Sequence, residues 1–137
     1  VYFGATAAVG GPIPSSLADV TLVREYAQDA MALASAGDVD GDGLGDLLVG
    51  SFMDSEVGDY AGKTSLVLGS TIAGGGSFTL PTDYEFVGTA AGANSGKSVA
   101  GAGDVDGDGL DDLLIGAPQP PNWGSAPGYA TLRLSPY

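Results

Sequence analysis

Two nine-residue strings set carboxylates at their first, third, fifth and ninth positions. They are DVDGDGLGD, with Asp38, Asp40, Asp42 and Asp46, and DVDGDGLDD sixty-six residues later, with Asp104, Asp106, Asp108 and Asp112. Alternate side chains around a tight bend converge on one centre, and a cluster of hard oxygens suits calcium, which takes roughly six to eight such ligands at about 2.3–2.6 Å. Gly43 and Gly109, at position 6, permit the bend because glycine enters positive φ without a Cβ clash. The position-7 carbonyls of Leu44 and Leu110 add a backbone oxygen to each set. The expectation is two Ca2+ sites, one held by Asp38, Asp40, Asp42, Leu44 and Asp46, the other by Asp104, Asp106, Asp108, Leu110 and Asp112. Asp111, at position 8, points away from its own cage by alternation.

An EF-hand loop would continue to a bidentate Glu at position 12 between two helices. Position 12 here is Val49 and Ile115. Each loop instead runs into a short apolar stretch closed by glycine, Leu47 to Gly50 and Leu113 to Gly116, which suits a buried strand. The metal loop therefore joins two strands. Carboxylates crowded into one loop repel one another, so folding and calcium binding are linked. With dissociation constants on the order of 0.1–1 mM, millimolar calcium adds roughly 0.4–1.4 kcal/mol per site.

The composition excludes several functions. The 137 residues include 4 basic and 17 acidic side chains, a net charge of −13, and no basic patch that would neutralise nucleic-acid phosphates. Two bound Ca2+ would offset four of those charges. The absence of Cys and His removes thiol nucleophiles, Ser-His-Asp triads and zinc sites of the His/Cys type. Paired carboxylates can run glycoside hydrolysis, but every dense carboxylate cluster here is assigned to metal, and a full cage leaves no coordination position for substrate. The expectation is a protein that is not an enzyme. No apolar run reaches the length of a membrane span. Reliance on millimolar calcium places the chain outside the cell or on its surface. Val1 is an unusual natural start, so a processed product or a portion of something longer is expected.

The sixty-six-residue offset also aligns Gly37 with Gly103, Gly62 with Gly128, and Leu66 and Leu68 with Leu132 and Leu134. One unit reads as a small-residue strand (32–36; 98–102), the metal loop, a buried strand (47–50; 113–116), a connection, and a third strand (64–69; 130–135), with a fourth at 84–88. Four short antiparallel strands per unit form a propeller-type blade. The Ala- and Leu-rich segment 23–36 could pass for a helix, but its partner SGKSVAGAG carries three glycines and is read as strand. Val1 to Gly4 looks like the end of a preceding third strand, and Asp19 to Tyr26 alternates like an outer fourth strand.

Glu85-Phe86-Val87-Gly88, followed by SGKSVAGAGDVDGDGLDDLLIGAP from Ser95 to Pro118, resembles an FG-GAP repeat of the integrin α-subunit propeller family. The second copy carries both name-giving elements, Phe86-x-Gly88 and Gly116-Ala117-Pro118. The resemblance implies seven-bladed propellers with calcium in the hairpin between the first two strands of some blades, serving extracellular adhesion or recognition. The first copy departs from it, with Tyr26-Ala27-Gln28 and Gly50-Ser51-Phe52 at those places, which predicts different packing onto the neighbouring blade.

The fold class is thus all-β, with two metal-bearing four-stranded blades plus outer strands of a third. Residues 1–30 form outer strands of a preceding blade, 31–90 one blade, and 91–137 a second that lacks its outer strand. Propellers close with about four to eight blades, so the partners expected are copies of this chain, head to tail or in a ring, or further blades of a longer chain. The connections 51–63, which is acidic, and 117–129, which surrounds Trp123, are candidate loops for a protein or glycan ligand. Residues 91–98, AGANSGKS, mimic a phosphate loop, but no helix follows to face a phosphate. Lys97 is placed near the acidic loop or in solvent, and Gly74-Gly75-Gly76 reads as a flexible inter-strand loop. The functional expectation is a non-catalytic extracellular calcium-binding protein with a structural, self-assembling or adhesive role. The alternative is a recognition module cut from a larger seven-bladed propeller.

Overall fold

The computed structural model describes residues 18–23, 31–80, 83–118 and 127–137. Val1 to Gly4, Tyr26-Ala27-Gln28 and Trp123 lie outside them.

The fold is all-β, built of propeller-type blades. In chain order its elements are β1 (Val20–Val23), β2 (Met31–Gly37), β3 (Asp46–Ser51), β4 (Lys63–Val67), α1 (Gly69–Ile72), β5 (Gly76–Thr79), β6 (Tyr84–Val87), β7 (Ser98–Gly103), β8 (Asp112–Ala117) and β9 (Tyr129–Arg133). Strands β2, β3, β4 and β6 make a four-stranded antiparallel sheet in that order, and β7, β8 and β9 make a three-stranded one. The Ala-rich segment is strand over its described part, β2.

Both first hairpins slip register at the same place. The shift lies between Ser35 and Gly37 in one and between Gly101 and Gly103 in the other. A bulge there bends the strand and raises its twist, which turns the chain into the aspartate-rich loop.

Between the sheets, Ala36, Val39, Leu48, Leu66 and Leu113 form one buried cluster, with Val99, Phe86 and Tyr137 packed against it. The edge of Phe86 meets the Tyr137 ring at 5.4 Å, and the Arg133 guanidinium sits 5.5 Å from the Phe86 ring centre. Gly88 follows because a methyl there would run into the Ala61 carbonyl. The other face of the first sheet joins Val49 and Val67 to Val20, Ile72 and Leu80.

Beside that second cluster, two expectations take a more definite form. β1 is a strand, but its partner is β5, in parallel, with Val20 opposite Gly76 and Val23 opposite Thr79. The triglycine run is not merely a loop: Gly76 begins β5, and its N–H donates to the Asp19 carbonyl at 2.8 Å. The alternation of residues 19–26 reads as an outer strand of a preceding blade; the strand expected beside it, Val1 to Gly4, lies outside the described residues.

The first copy's departure from Gly-Ala-Pro is visible at Ser51. Its hydroxyl is fully buried with no hydrogen-bond partner among the described residues, where the second copy has the equally buried Ala117. An unmade buried hydroxyl bond costs about 1–3 kcal/mol. Ser51→Ala is expected to raise stability by about 1 kcal/mol, measured by urea denaturation; a loss of stability would mean that the hydroxyl is bonded in solution.

Candidate metal centres

The nine-residue strings form the turns of the β2–β3 and β7–β8 hairpins, and every side-chain bond within the first loop recurs in the second. The carboxylate of Asp38 accepts the N–H of Gly41 at 2.9 Å and of Gly43 at 3.0 Å. Asp104 does the same with Gly107 and Gly109, at 2.6 and 3.0 Å, and also accepts the N–H of Asp108 at 3.1 Å. Asp40 and Asp106 accept from Asp42 and Asp108, and those two accept in turn from Leu44 and Leu110. Gly43 and Gly109 take φ values of 85° and 93°, the left-handed bend expected of position 6.

These bends bring carboxylate oxygens of Asp38, Asp40 and Asp42 within 4.8 Å of one another, and likewise those of Asp104, Asp106 and Asp108. Backbone N–H dipoles offset part of the repulsion within each trio. A carboxylate oxygen that accepts one N–H retains a second lone pair, so the trios keep capacity for a cation. All the donors are oxygen, which fits calcium and not a thiolate- or imidazole-seeking metal.

Position 9 is placed differently. Asp46 and Asp112 are buried, outside the two trios. Asp46 accepts the N–H of Val39 at 2.8 Å and of Gly69 at 2.7 Å. Asp112 accepts from Val105 at 2.8 Å and from Ser135 at 2.9 Å. Gly69 and Ser135 are themselves sixty-six residues apart, so each position-9 carboxylate ties its loop to the chain leaving the third strand. The repeat offset aligns Gly69 with Ser135, but only the folded structure shows that each bonds a position-9 carboxylate. Burial pushes the Asp46 carboxyl above its ordinary value, the Gly69 and Val39 N–H groups act in the opposite sense, and the Asp40 and Asp38 charges add to the rise.

Asp111 does point away from its own trio, as alternation predicts, but it does not point to solvent. Its carboxylate accepts the N–H of Asp38, in the other loop, at 2.8 Å.

Two acids of the 51–63 connection, Asp54 and Glu56, meet one cation together with Glu85 of β6. Lys63 Nζ lies 3.4 Å from Asp54, 3.0 Å from Glu56 and 3.0 Å from Glu85. Burial by itself lowers the lysine pKa, but the bonds to Glu85 and Glu56 and the charge of Asp54 outweigh it and hold the ammonium above its ordinary range. Lys97 is exposed, with its ammonium 5.3 Å from the ring centre of Phe52, in the acidic 51–63 connection. The phosphate-loop mimic at 91–98 forms turns that lead straight into β7. No helix among the described residues is long and apolar enough to cross a membrane.

The sequence model of the FG-GAP repeat matches residues 95–131, from just before β7 to the middle of β9. Integrin alpha-4 of Xenopus laevis is 35% identical over 89 residues, which is 64% of this chain and 8% of that protein. The chain therefore spans under a tenth of that relative's length.

Proposed function

We propose that this chain, which matches the FG-GAP repeat over residues 95–131 and resembles integrin alpha-4 over 89 residues, is a calcium-stabilised pair of propeller blades of the integrin α type with a non-catalytic structural or adhesive role outside the cell. The observation that carries the reading is the repetition of one carboxylate trio in two hairpins, the bonds of the first loop recurring in the second. Asp38, Asp40, Asp42 and Asp46 with the Leu44 carbonyl would hold one Ca2+. Asp104, Asp106, Asp108 and Asp112 with the Leu110 carbonyl would hold the other. The ion would supply positive charge at the centre of each trio and rigidify the turn, while the buried position-9 carboxylates pass that order to the third strands.

Titration calorimetry tests it. Wild type is expected to take up two calcium ions, and Asp106→Ala one, with a lower melting temperature in calcium. Unchanged binding in Asp106→Ala would remove the second site as assigned.

One observation bears on assembly. Leu48 and Leu66 are 0% exposed because the second blade covers them, whereas their repeat equivalents Leu114 and Leu132 are 41% and 44% exposed. A face that is buried on one blade and open on the next fits a further blade of the same kind, supplied by a longer chain or by a copy of this one. The first source makes the chain a module of a larger recognition propeller, with ligand loops at 51–63 and 117–129. The second makes it a self-assembling structural protein. Light scattering in millimolar calcium and after chelation separates them: large assemblies that dissolve on chelation support copies, and a monomer supports further blades.

A further inference from the structure

The two nine-residue strings differ at one position, the eighth: Gly45 in the first, Asp111 in the second. Asp111 is the residue through which the second loop grips the first. Its carboxylate accepts the Asp38 N–H at 2.8 Å, and its own N–H donates to the Asp38 carbonyl at 3.1 Å. The grip depends on Gly37, whose φ is 87° and where any Cβ would collide with the Asp111 carboxylate. The next residue back, Leu110, lies over Gly41, where an added Cβ would come within 2.9 Å of the leucine side chain. Asp111 is held from behind as well, since its carbonyl accepts the Ser135 hydroxyl at 2.7 Å.

Asp38 is the first residue of its trio and accepts two N–H bonds within its own loop. Asp111 lies between Leu110 and Asp112, two ligands proposed for the second ion. Order imposed on the second loop therefore reaches the first loop at the residue that organises it. Gly45 has no side chain with which to pass that order to a preceding blade.

We infer that Asp111 is a positioning residue that couples the two calcium sites, so that filling the second raises the affinity of the first. Linkage makes the effect reciprocal. The inference rests on the calcium reading above, and it adds a property that two independent cages would lack.

The test uses the full chain with one site silenced at a time, Asp40→Ala for the first and Asp106→Ala for the second, each with Asp111 present or replaced by glycine. Asp111→Gly makes the two loops the same string. Calorimetry is expected to show wild type filling its sites cooperatively, and Asp106→Ala binding its remaining calcium about fivefold or more weakly than the coupled site does. Within the Asp111→Gly background the two sites are expected to fill independently. Asp111→Asn keeps an acceptor for the Asp38 N–H and is expected to retain part of the coupling.

A second readout serves if a variant folds poorly. In Asp40→Ala, calcium at the second site alone is expected to slow hydrogen exchange of the Asp38 amide severalfold, and Asp111→Gly to abolish that slowing. Two ions bound independently in wild type, or coupling that survives Asp111→Gly, would overturn the inference and leave the calcium sites standing. Failure of wild type to bind calcium at all would overturn both.

Discussion

Leu48→Ala is expected to destabilise the protein by about 3–4 kcal/mol, whereas Leu114→Ala, the same change at the same place in the repeat, is expected to cost less than about 1 kcal/mol. Leu48 sits in the middle of β3 with no exposed surface, enclosed by Leu66, Leu113, Ala36 and Val39. Truncating it removes the transfer energy of the lost carbons and leaves a cavity between two sheets, neither of which can collapse without breaking the other's strand pairing. Leu114 occupies the equivalent place in β8 and faces outward. Urea denaturation of both variants in millimolar calcium measures the pair. Equal losses would mean that the Leu114 face is buried in solution by another blade, which makes the comparison an assay of assembly as well as of packing.

Asp104→Ala is expected to lower calcium affinity at the second loop roughly 30- to 150-fold, the equivalent of about 2–3 kcal/mol for a charged acceptor. Asp104 is a proposed ligand, and it also accepts the N–H groups of Gly107, Asp108 and Gly109, which close the turn. Alanine removes the ligand and the scaffold together. Asp104→Asn retains an acceptor oxygen without the charge, so it is expected to fall between wild type and Asp104→Ala. Calorimetry that still returns two ions at wild-type affinity for Asp104→Ala would exclude this residue from the site. In calcium, the lost occupancy is expected to remove a further 0.4–1.4 kcal/mol or so of stability at millimolar concentrations.

The loops were legible because their information is local. Alternating aspartates with glycine at position 6 specify which way successive side chains turn, whatever surrounds them, and the trios Asp38-Asp40-Asp42 and Asp104-Asp106-Asp108 come together on that basis. The same holds for β2, β3, β7 and β8, whose small-residue and Leu-rich runs are self-consistent as strands and recur at one offset. Phe86-x-Gly88 and Gly116-Ala117-Pro118 marked the blade ends for a comparable reason, since both glycines stand where a side chain would strike a neighbour.

Other features depended on which surfaces meet. The sequence alone determined that Asp111 is turned out of its own cage, but only packing of one sheet on the other decided that it lands on Asp38. It likewise determined that residues near 20 form a strand with an apolar face, while the tertiary structure decided that β1 joins β5 in parallel. The repeat determined that Leu48 and Leu114 are equivalent, and the neighbouring sheet decided that one is core and the other surface. Short-range turn geometry follows from φ preferences and side-chain alternation within a few residues. Pairing across seventy residues follows from which apolar faces are left to be covered, and that is a property of the folded assembly of sheets rather than of any stretch of chain.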